Sequence, residues 1–143
     1  MDSAQTTALL VAGITALLGV VLFVARQFAL KLLVEPIQDH RRLMGRIASA
    51  LYYYENVYEG STQEVVAEAR RAYRDLGTDL RSGVRLIPGY RLLARVKLVR
   101  SIEQIETASA HLIGLSNEVG TAKYGGEGTE RRRREIRESL GIE

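Results

Sequence analysis

The apolar residues near the N-terminus form one uninterrupted run. Between Ser3 and Ala25 there are 23 residues without a charged side chain, rich in leucine, valine and alanine. A helix needs about 20 such residues to cross the hydrocarbon core of a bilayer. A cleavable signal peptide would start with cations and have a shorter apolar core. The pattern therefore predicts a transmembrane helix, and apolar residues after Arg26 extend it to Val34, giving a span over 6–34 after a short exoplasmic segment, 1–5.

Charges on the two sides of this run predict its orientation. Asp2 is the only charged side chain before the run, whereas several cations follow it. Cytoplasmic flanks of membrane helices carry the excess of lysine and arginine. We therefore expect the C-terminal part in the cytoplasm and the N-terminus outside. Arg26 and Lys31 are expected to reach lipid headgroups from the end of the span.

Small residues inside the span recur at intervals of three and four. This spacing places them on one helical face, where they allow two membrane helices to approach closely. It predicts self-association or docking on another span, although the strict Gly-x-x-x-Gly pattern does not occur. The residues of this predicted packing face are Ala8, Ala12, Thr15, Ala16 and Gly19.

Three longer amphipathic patterns follow and predict a helical cytoplasmic domain over 36–119. The first begins at Pro36, which suits the first turn of a helix, and continues to Gly60. The second follows a capping-box pattern at Ser61 and ends before Pro88, and the third follows a similar pattern at Ser101. Their apolar positions are Ile37, His40, Met44, Ile47, Leu51, Tyr54 and Tyr58; Ala69, Tyr73, Leu76, Leu80, Val84 and Ile87; and Ile102, Ile105, Ser109, Leu112, Ser116 and Val119.

The predicted fold class is all-α, with one N-terminal transmembrane helix and a small antiparallel hairpin or bundle of three to four helices. The first two cytoplasmic helices are expected to form the hairpin. Four glycines between 120 and 128 predict a linker. Residues 129–143 are predicted to form a charged helix, from about 129 to 140, or a tail, whose arginines are matched by glutamates.

A basic segment from Val84 to Arg100 contains five cations and no acid. If residues 90–100 are helical, Leu92, Leu93, Val96 and Val99 form an apolar stripe suited to the surface of an anionic leaflet. The alternative is a helix that packs on the core and exposes a solvated basic face. The cations that we expect at the membrane surface are Arg85, Arg91, Arg95, Lys97 and Arg100.

The remaining composition offers little for catalysis. The chain has no cysteine and only two histidines, His40 and His111, which lie far apart in sequence. No nucleophile-elbow, phosphate-loop or zinc-protease pattern occurs. Tyr52, Tyr53 and Tyr54 are predicted to pack, because consecutive helical residues point about 100° apart and do not converge on one ligand. We therefore expect no enzyme activity, cofactor or metal.

Net charge gives no reason to expect a nucleic-acid partner. The 20 lysines and arginines exceed the 17 acidic residues by three, which is too small an excess to predict nucleic-acid binding by itself. The run from Arg131 to Arg134 is matched by neighbouring glutamates, so it predicts a helix with internal ion pairs.

Two stretches, EPIQDHRRLMGRIASALYYYENVY and ASAHLIGLSNEV, carry a resemblance. Through them the chain resembles small uncharacterised bacterial membrane proteins in which one N-terminal span precedes a short helical cytoplasmic region. The resemblance rests on the Glu-Pro-Ile entry at Glu35, the stretch from Ala50 to Tyr58, and the segment from Leu112 to Asn117. It implies an architecture and transfers no active-site residues.

The leading hypothesis is a non-enzymatic, single-pass membrane scaffold or regulatory module that acts through helix association, as a homo-oligomer on an anionic bilayer. Small helical domains are often stabilised by oligomerisation. One alternative is an accessory subunit of a larger respiratory, photosynthetic or transport complex. A homo-oligomeric pore is a third hypothesis, for which the span offers only Thr6, Thr7 and Thr15 as polar lining.

Overall fold

The computed structural model describes residues 2–57, 60–121 and 123–142, apart from the Ala4 side chain. The chain divides into two compact units, Met1–Pro36 and Ile37–Glu143. Regular structure in the described residues is entirely helical, as the sequence predicts. The elements in chain order are α1 (Ser3–Ala29), a π-helical turn (Leu30–Val34), α2 (Glu35–Tyr53), α3 (Gln63–Leu86), α4 (Tyr90–Arg95), α5 (Ile102–Glu118) and α6 (Glu127–Leu140).

The first unit contains α1, which is long and apolar enough to cross a membrane. None of its described side chains is buried within the unit, and its large apolar side chains are exposed. The π-helical turn follows, in which the Glu35 N–H donates to the Leu30 carbonyl five residues earlier. Pro36 explains this turn, because its ring would clash with the carbonyl four residues before it in a regular α-helix.

The junction at Glu35–Pro36 was predicted correctly as a helix boundary but takes a different form. Glu35 has helical backbone angles, φ −59° and ψ −51°, although a residue before proline usually avoids them. Widening of the preceding turn accommodates the proline, so the helical conformation continues past it. At its other end α2 stops at Tyr53 rather than near Gly60, and Tyr58, a predicted core position, lies outside the described residues.

The core of the second unit contains most of the predicted apolar positions. Ile47, Leu51, Tyr73, Leu80 and Leu112 are all fully buried, because each lies on the inward stripe of its helix. The tyrosine triplet divides: Tyr54 is buried, as expected for packing, whereas Tyr52 and Tyr53 are exposed.

Helices α3 and α5 approach closely at Gly77. A Cβ built there would lie 3.2 Å from the Ser109 carbonyl oxygen and 3.3 Å from the Leu112 Cβ. The Ser109 hydroxyl donates to the Gly77 carbonyl at 2.7 Å. Further along, Arg70 Nε donates to the Val119 carbonyl oxygen at 3.2 Å. Early residues of α3 thus meet late residues of α5, so the two helices run in opposite directions.

Two capping boxes were predicted, and one of them forms. The Ser101 hydroxyl accepts from the Gln104 N–H at 3.2 Å, and the Gln104 side chain accepts from the Ser101 N–H at 3.0 Å. These bonds satisfy two amides at the start of α5. At α3 the N-cap is Thr62 instead of Ser61, and its side chain makes no capping hydrogen bond.

The C-terminal helix packs more closely than the sequence predicted. We expected a domain ending at 119, a glycine linker over 120–128 and a charged helix or tail beyond it. Instead Tyr124 is buried, and α6 begins at Glu127 and packs along α5 within the same compact unit. Ile136 and Leu140 are buried on the inner face of α6. The many charged residues around them in the sequence hide this apolar pattern.

Arg133 on α6 is buried with 1% of its surface exposed. Its Nη2 donates to the Tyr124 hydroxyl at 2.9 Å and to the Glu55 carbonyl at 3.1 Å, and its Nη1 donates to Glu130 at 2.6 Å. The guanidinium carbon also lies 5.0 Å from the centre of the Tyr124 ring. The Arg133 side chain thus connects α6 to Tyr124, which lies between α5 and α6, and to Glu55, which follows α2.

Replacing Arg133 tests this arrangement. Arg133→Ala leaves Tyr124 and the Glu55 carbonyl without their charged donor and removes buried packing. We expect it to lower the free energy of unfolding by about 3 kcal/mol. Arg131 provides a matched control, because its side chain is 71% exposed and its one ion pair among the described residues is long, 3.9 Å to Glu135. Arg131→Ala should change stability by less than about 0.5 kcal/mol. Equal urea unfolding midpoints for the two variants would contradict this role for Arg133.

Candidate membrane-facing site

The basic segment, residues 84–100, forms a turn, the short helix α4 and a second turn. The helix stops at Arg95, so the helix predicted to reach residue 100 is five residues too long. Lys97 ends it with a left-handed backbone, φ 61°. The Leu98 N–H donates to the Leu93 carbonyl at 3.0 Å and the Lys97 N–H to Ala94 at 3.1 Å. This is a Schellman cap, in which glycine is the usual left-handed residue.

The five predicted cations have no acidic partner in the described part of the chain, since none makes an ion pair there. On α6, by contrast, Arg131 and Arg133 pair with glutamates of the same helix, as predicted from their matched charges. Arg132 pairs instead with Glu118 at the end of α5, which was not predicted. The structure therefore leaves the positive charge of the basic segment uncompensated. Uncompensated cations on one surface attract anions at short range.

Large apolar side chains are exposed among these cations. The predicted stripe divides, with Leu93 and Val99 packed against the core and Leu92 and Val96 exposed. Leu86 and Leu98, which the helical stripe did not include, are also exposed. The exposed fractions are 73% for Leu86, 64% for Leu92, 56% for Val96 and 50% for Leu98. Because the helix ends early, the backbone turn brings Leu98 to the surface.

Buried anchors fix the shape of the segment. The Tyr90 hydroxyl donates to the Arg100 carbonyl at 2.8 Å and so connects the start of α4 to the end of the segment. Burial raises the pKa of Tyr90 to about 12, so the hydroxyl retains its proton at neutral pH. Arg100 Nε donates to the Leu140 carbonyl at 2.9 Å, which connects the segment to the end of α6. These hydrogen bonds therefore fix the backbone on which the exposed leucines lie.

His40 lies beneath this segment. It is buried with 6% of its surface exposed, and its ring meets that of Tyr90 edge to face, with centroids 6.0 Å apart. Neither ring nitrogen has a hydrogen-bond partner among the described residues. Burial lowers the pKa of His40 below its ordinary value of 6.5, because the charged form loses its hydration.

A second group of predicted residues lies on α1. The small residues of the predicted packing face, and Arg26 near the end of α1, are exposed, as is Lys31 in the π-helical turn. The hydroxyls of Thr7 and Thr15 each donate to the carbonyl four residues earlier, both at 2.9 Å. Such internal bonds reduce their value as polar lining of a pore.

The described residues include no group of three or more histidine, cysteine or acidic side chains able to hold a metal ion. His111 instead meets Glu135 at 2.5 Å and lies 3.5 Å from Arg132. These contacts connect α5 to α6, so the position of His111 is explained by the packing of these two helices.

Comparison with known proteins gives no further guide to the site. The chain matches no family model, no curated protein and no solved structure.

The buried His40 predicts an acid-sensitive stability. In the unfolded chain His40 takes up a proton near pH 6.5, whereas the folded chain resists it. The unfolded state thus binds more protons below about pH 7, so the free energy of unfolding should fall as pH decreases, by at most about 1.4 kcal/mol per pH unit.

His40→Phe keeps a ring against Tyr90 and removes the titration. We expect the variant to lose less stability than the parent between pH 7.5 and pH 5, measured by urea unfolding in detergent. Parallel losses in both proteins would show that His40 does not contribute to the acid response.

Proposed function

We propose that the protein is a non-enzymatic, single-pass membrane scaffold or regulatory module, anchored by α1 and acting through helix association and contact with an anionic leaflet. The observation that carries this proposal is the exposed apolar surface of α1. Its large side chains from Leu9 to Phe28 are between 44% and 70% exposed. A soluble protein rarely leaves so extensive an apolar surface in water, whereas a bilayer would cover it.

The proposed location is a bacterial inner membrane, with the N-terminus outside and the helical unit in the cytoplasm. Charge supports this orientation, because the cations follow the span and the only preceding charge is Asp2. The resemblance to bacterial single-span proteins supports the same arrangement.

Contact with the leaflet is proposed for the basic segment. Its exposed Leu92 and Val96 offer apolar surface beside cations that have no acidic partner among the described residues. Cations near an anionic membrane contribute about 1 kcal/mol each. Because α1 would tether the domain to the same bilayer, the segment would meet the leaflet at high effective concentration.

Charge reversal in the basic segment tests this contact. The compact unit from Ile37 onward, produced without α1 and checked for helicity by circular dichroism, is mixed with vesicles that contain or lack phosphatidylglycerol. Combining Arg91→Glu, Arg95→Glu and Lys97→Glu should weaken binding to anionic vesicles at least about a hundredfold. Added salt should weaken the parent's binding too.

A control protein carries the same change of charge elsewhere. Arg71, Arg131 and Arg134 are exposed cations outside the segment, and their combined replacement by glutamate should weaken binding much less. Similar losses in the two triple variants would show that only net charge matters. Binding that ignores lipid charge and salt would refute the leaflet contact.

Self-association is proposed for the small-residue face of α1. Gly19 belongs to this face, whereas Gly13 lies about 120° around the helix from it. A Cβ added at either glycine meets nothing within 4 Å. A larger side chain at either position therefore disturbs no contact within the chain, and any effect must come from a neighbouring molecule.

We expect Gly19→Leu to weaken self-association of the full chain in bilayers by about tenfold, because the added side chain separates closely packed helices. Gly13→Leu serves as the matched control and should have little effect. Energy transfer between labelled copies in vesicles measures both. A parent protein that stays monomeric at high protein-to-lipid ratio would refute the homo-oligomer and favour an accessory subunit of a larger membrane complex.

A further inference from the structure

A cavity of about 570 Å³ opens beside the basic segment, within the unit Ile37–Glu143. It lies between α2, the turn after α4, the start of α5 and the end of α6. Its volume falls within the range of sites that bind small ligands. The side chains on which its chemistry depends are Arg41, Lys97, Arg100, Met44, Leu98 and Leu140.

The charge of this cavity has one sign. Arg41, Lys97 and Arg100 line it, and no aspartate or glutamate does. In the described part of the chain, Arg41 and Lys97 make no side-chain hydrogen bond or ion pair, and Arg100 uses only Nε, on the Leu140 carbonyl. Three cations held together without an acid repel one another, and an anion among them would relieve this repulsion.

The start of α5 adds to the positive potential. Ser101 and Gln104, which form the capping box, both line the cavity. The N-terminus of a helix carries a partial positive charge that favours anions, and phosphate groups in particular. This helix has 17 residues, so its dipole is well developed.

His40 also lines the cavity and is 94% buried as the complement of its 6% exposure. Both of its ring nitrogens are themselves buried, so the ring contributes to the wall and offers no hydrogen bond to a ligand. Lys97 occupies a left-handed position where glycine would be less strained. A lysine there accepts backbone strain and adds a charge to the wall of the cavity, whereas glycine would do neither.

The remaining wall is apolar. Met44, Leu98 and Leu140 line the cavity alongside the cations. An inorganic anion alone would contact the cations and leave this apolar wall uncovered. The lining therefore matches a ligand with a strongly anionic head and an apolar body.

We propose that this cavity binds one phosphate monoester group, carried in the cell by a membrane phospholipid with a bare phosphate head. The monoester has more charge and more acceptor oxygens than a carboxylate or a phosphodiester, so it makes fuller use of three cations. The proposal deepens the proposed leaflet contact and rests on it for access to lipid. It adds recognition of one headgroup to general attraction by the basic segment.

The test uses the full chain in detergent and counts bound lipids by native mass spectrometry. Phosphatidic acid is compared with phosphatidylserine, which carries negative charge on a phosphodiester headgroup. We expect one phosphatidic acid per chain, bound at least about tenfold more tightly than phosphatidylserine. Equal affinity for the two lipids would overturn the proposal and leave the general leaflet attraction intact.

Two double variants with the same loss of charge separate the cavity from the surface. Arg41→Gln with Lys97→Asn removes two cations of the cavity, and asparagine tolerates the left-handed backbone. Arg91→Gln with Arg95→Gln removes two cations that do not line it. Only the first pair should abolish the headgroup preference, whereas both pairs should weaken binding to anionic vesicles. Equal effects of the two pairs on the preference would refute the site.

A titration with a soluble phosphate monoester distinguishes a lipid from a soluble molecule as the source of the phosphate. Glycerol 3-phosphate is titrated into the full chain held in neutral phosphatidylcholine nanodiscs, and the unfolding temperature is followed. Weak or no stabilisation, together with tight phosphatidic acid binding, assigns the site to a lipid. Stabilisation by glycerol phosphate that the Arg41/Lys97 variant loses would keep the phosphate site and overturn the lipid as its source.

Discussion

Burial of the Arg133 guanidinium is the constraint on which the unit Ile37–Glu143 depends. A buried cation must find hydrogen-bond acceptors to offset its lost hydration, and here they come from three parts of the chain. The Tyr124 hydroxyl accepts from Arg133 and donates to the Tyr54 carbonyl at 2.6 Å. Its second lone pair is then free to accept from the Tyr73 hydroxyl, 3.0 Å away. Both terminal nitrogens of Arg133 and the Tyr124 hydroxyl therefore have defined acceptors, whereas the buried Arg133 Nε has no partner among the described residues.

This network also positions the candidate site. By fixing α6, Arg133 sets the position of Leu140 near the end of the same helix. The Leu140 carbonyl accepts from Arg100, whose own carbonyl accepts from Tyr90. The basic segment is thus held at Arg100 by hydrogen bonds to Tyr90 and to the end of α6, and its exposed leucines and cations do not depend on a long surface helix for their arrangement.

The proposed membrane contacts share one physical feature. Each involves apolar side chains that the chain does not cover or cations that it does not pair. Large side chains of α1 such as Leu22 have no cover in the structure. On the basic segment, cations such as Arg91 have no acidic partner among the described residues. A bilayer supplies hydrocarbon for the first and anionic headgroups for the second. In the cavity, the same complementarity between cations and an anionic head would act on a single lipid.

Sequence alone determined the features that depend on local pattern. The apolar length of α1, the inward stripes of α3 and α5, the capping box at Ser101 and the break at Pro88 follow from periodicity and backbone chemistry, which act over a few residues. Only the tertiary structure decided the rest. Tyr124 lies among glycines and Arg133 among charges, so neither reads as core, and both become buried because distant carbonyls and hydroxyls accept their hydrogen bonds. The cavity likewise brings Arg41 together with Lys97 across more than fifty residues of sequence, a proximity that helix packing creates and no local pattern encodes.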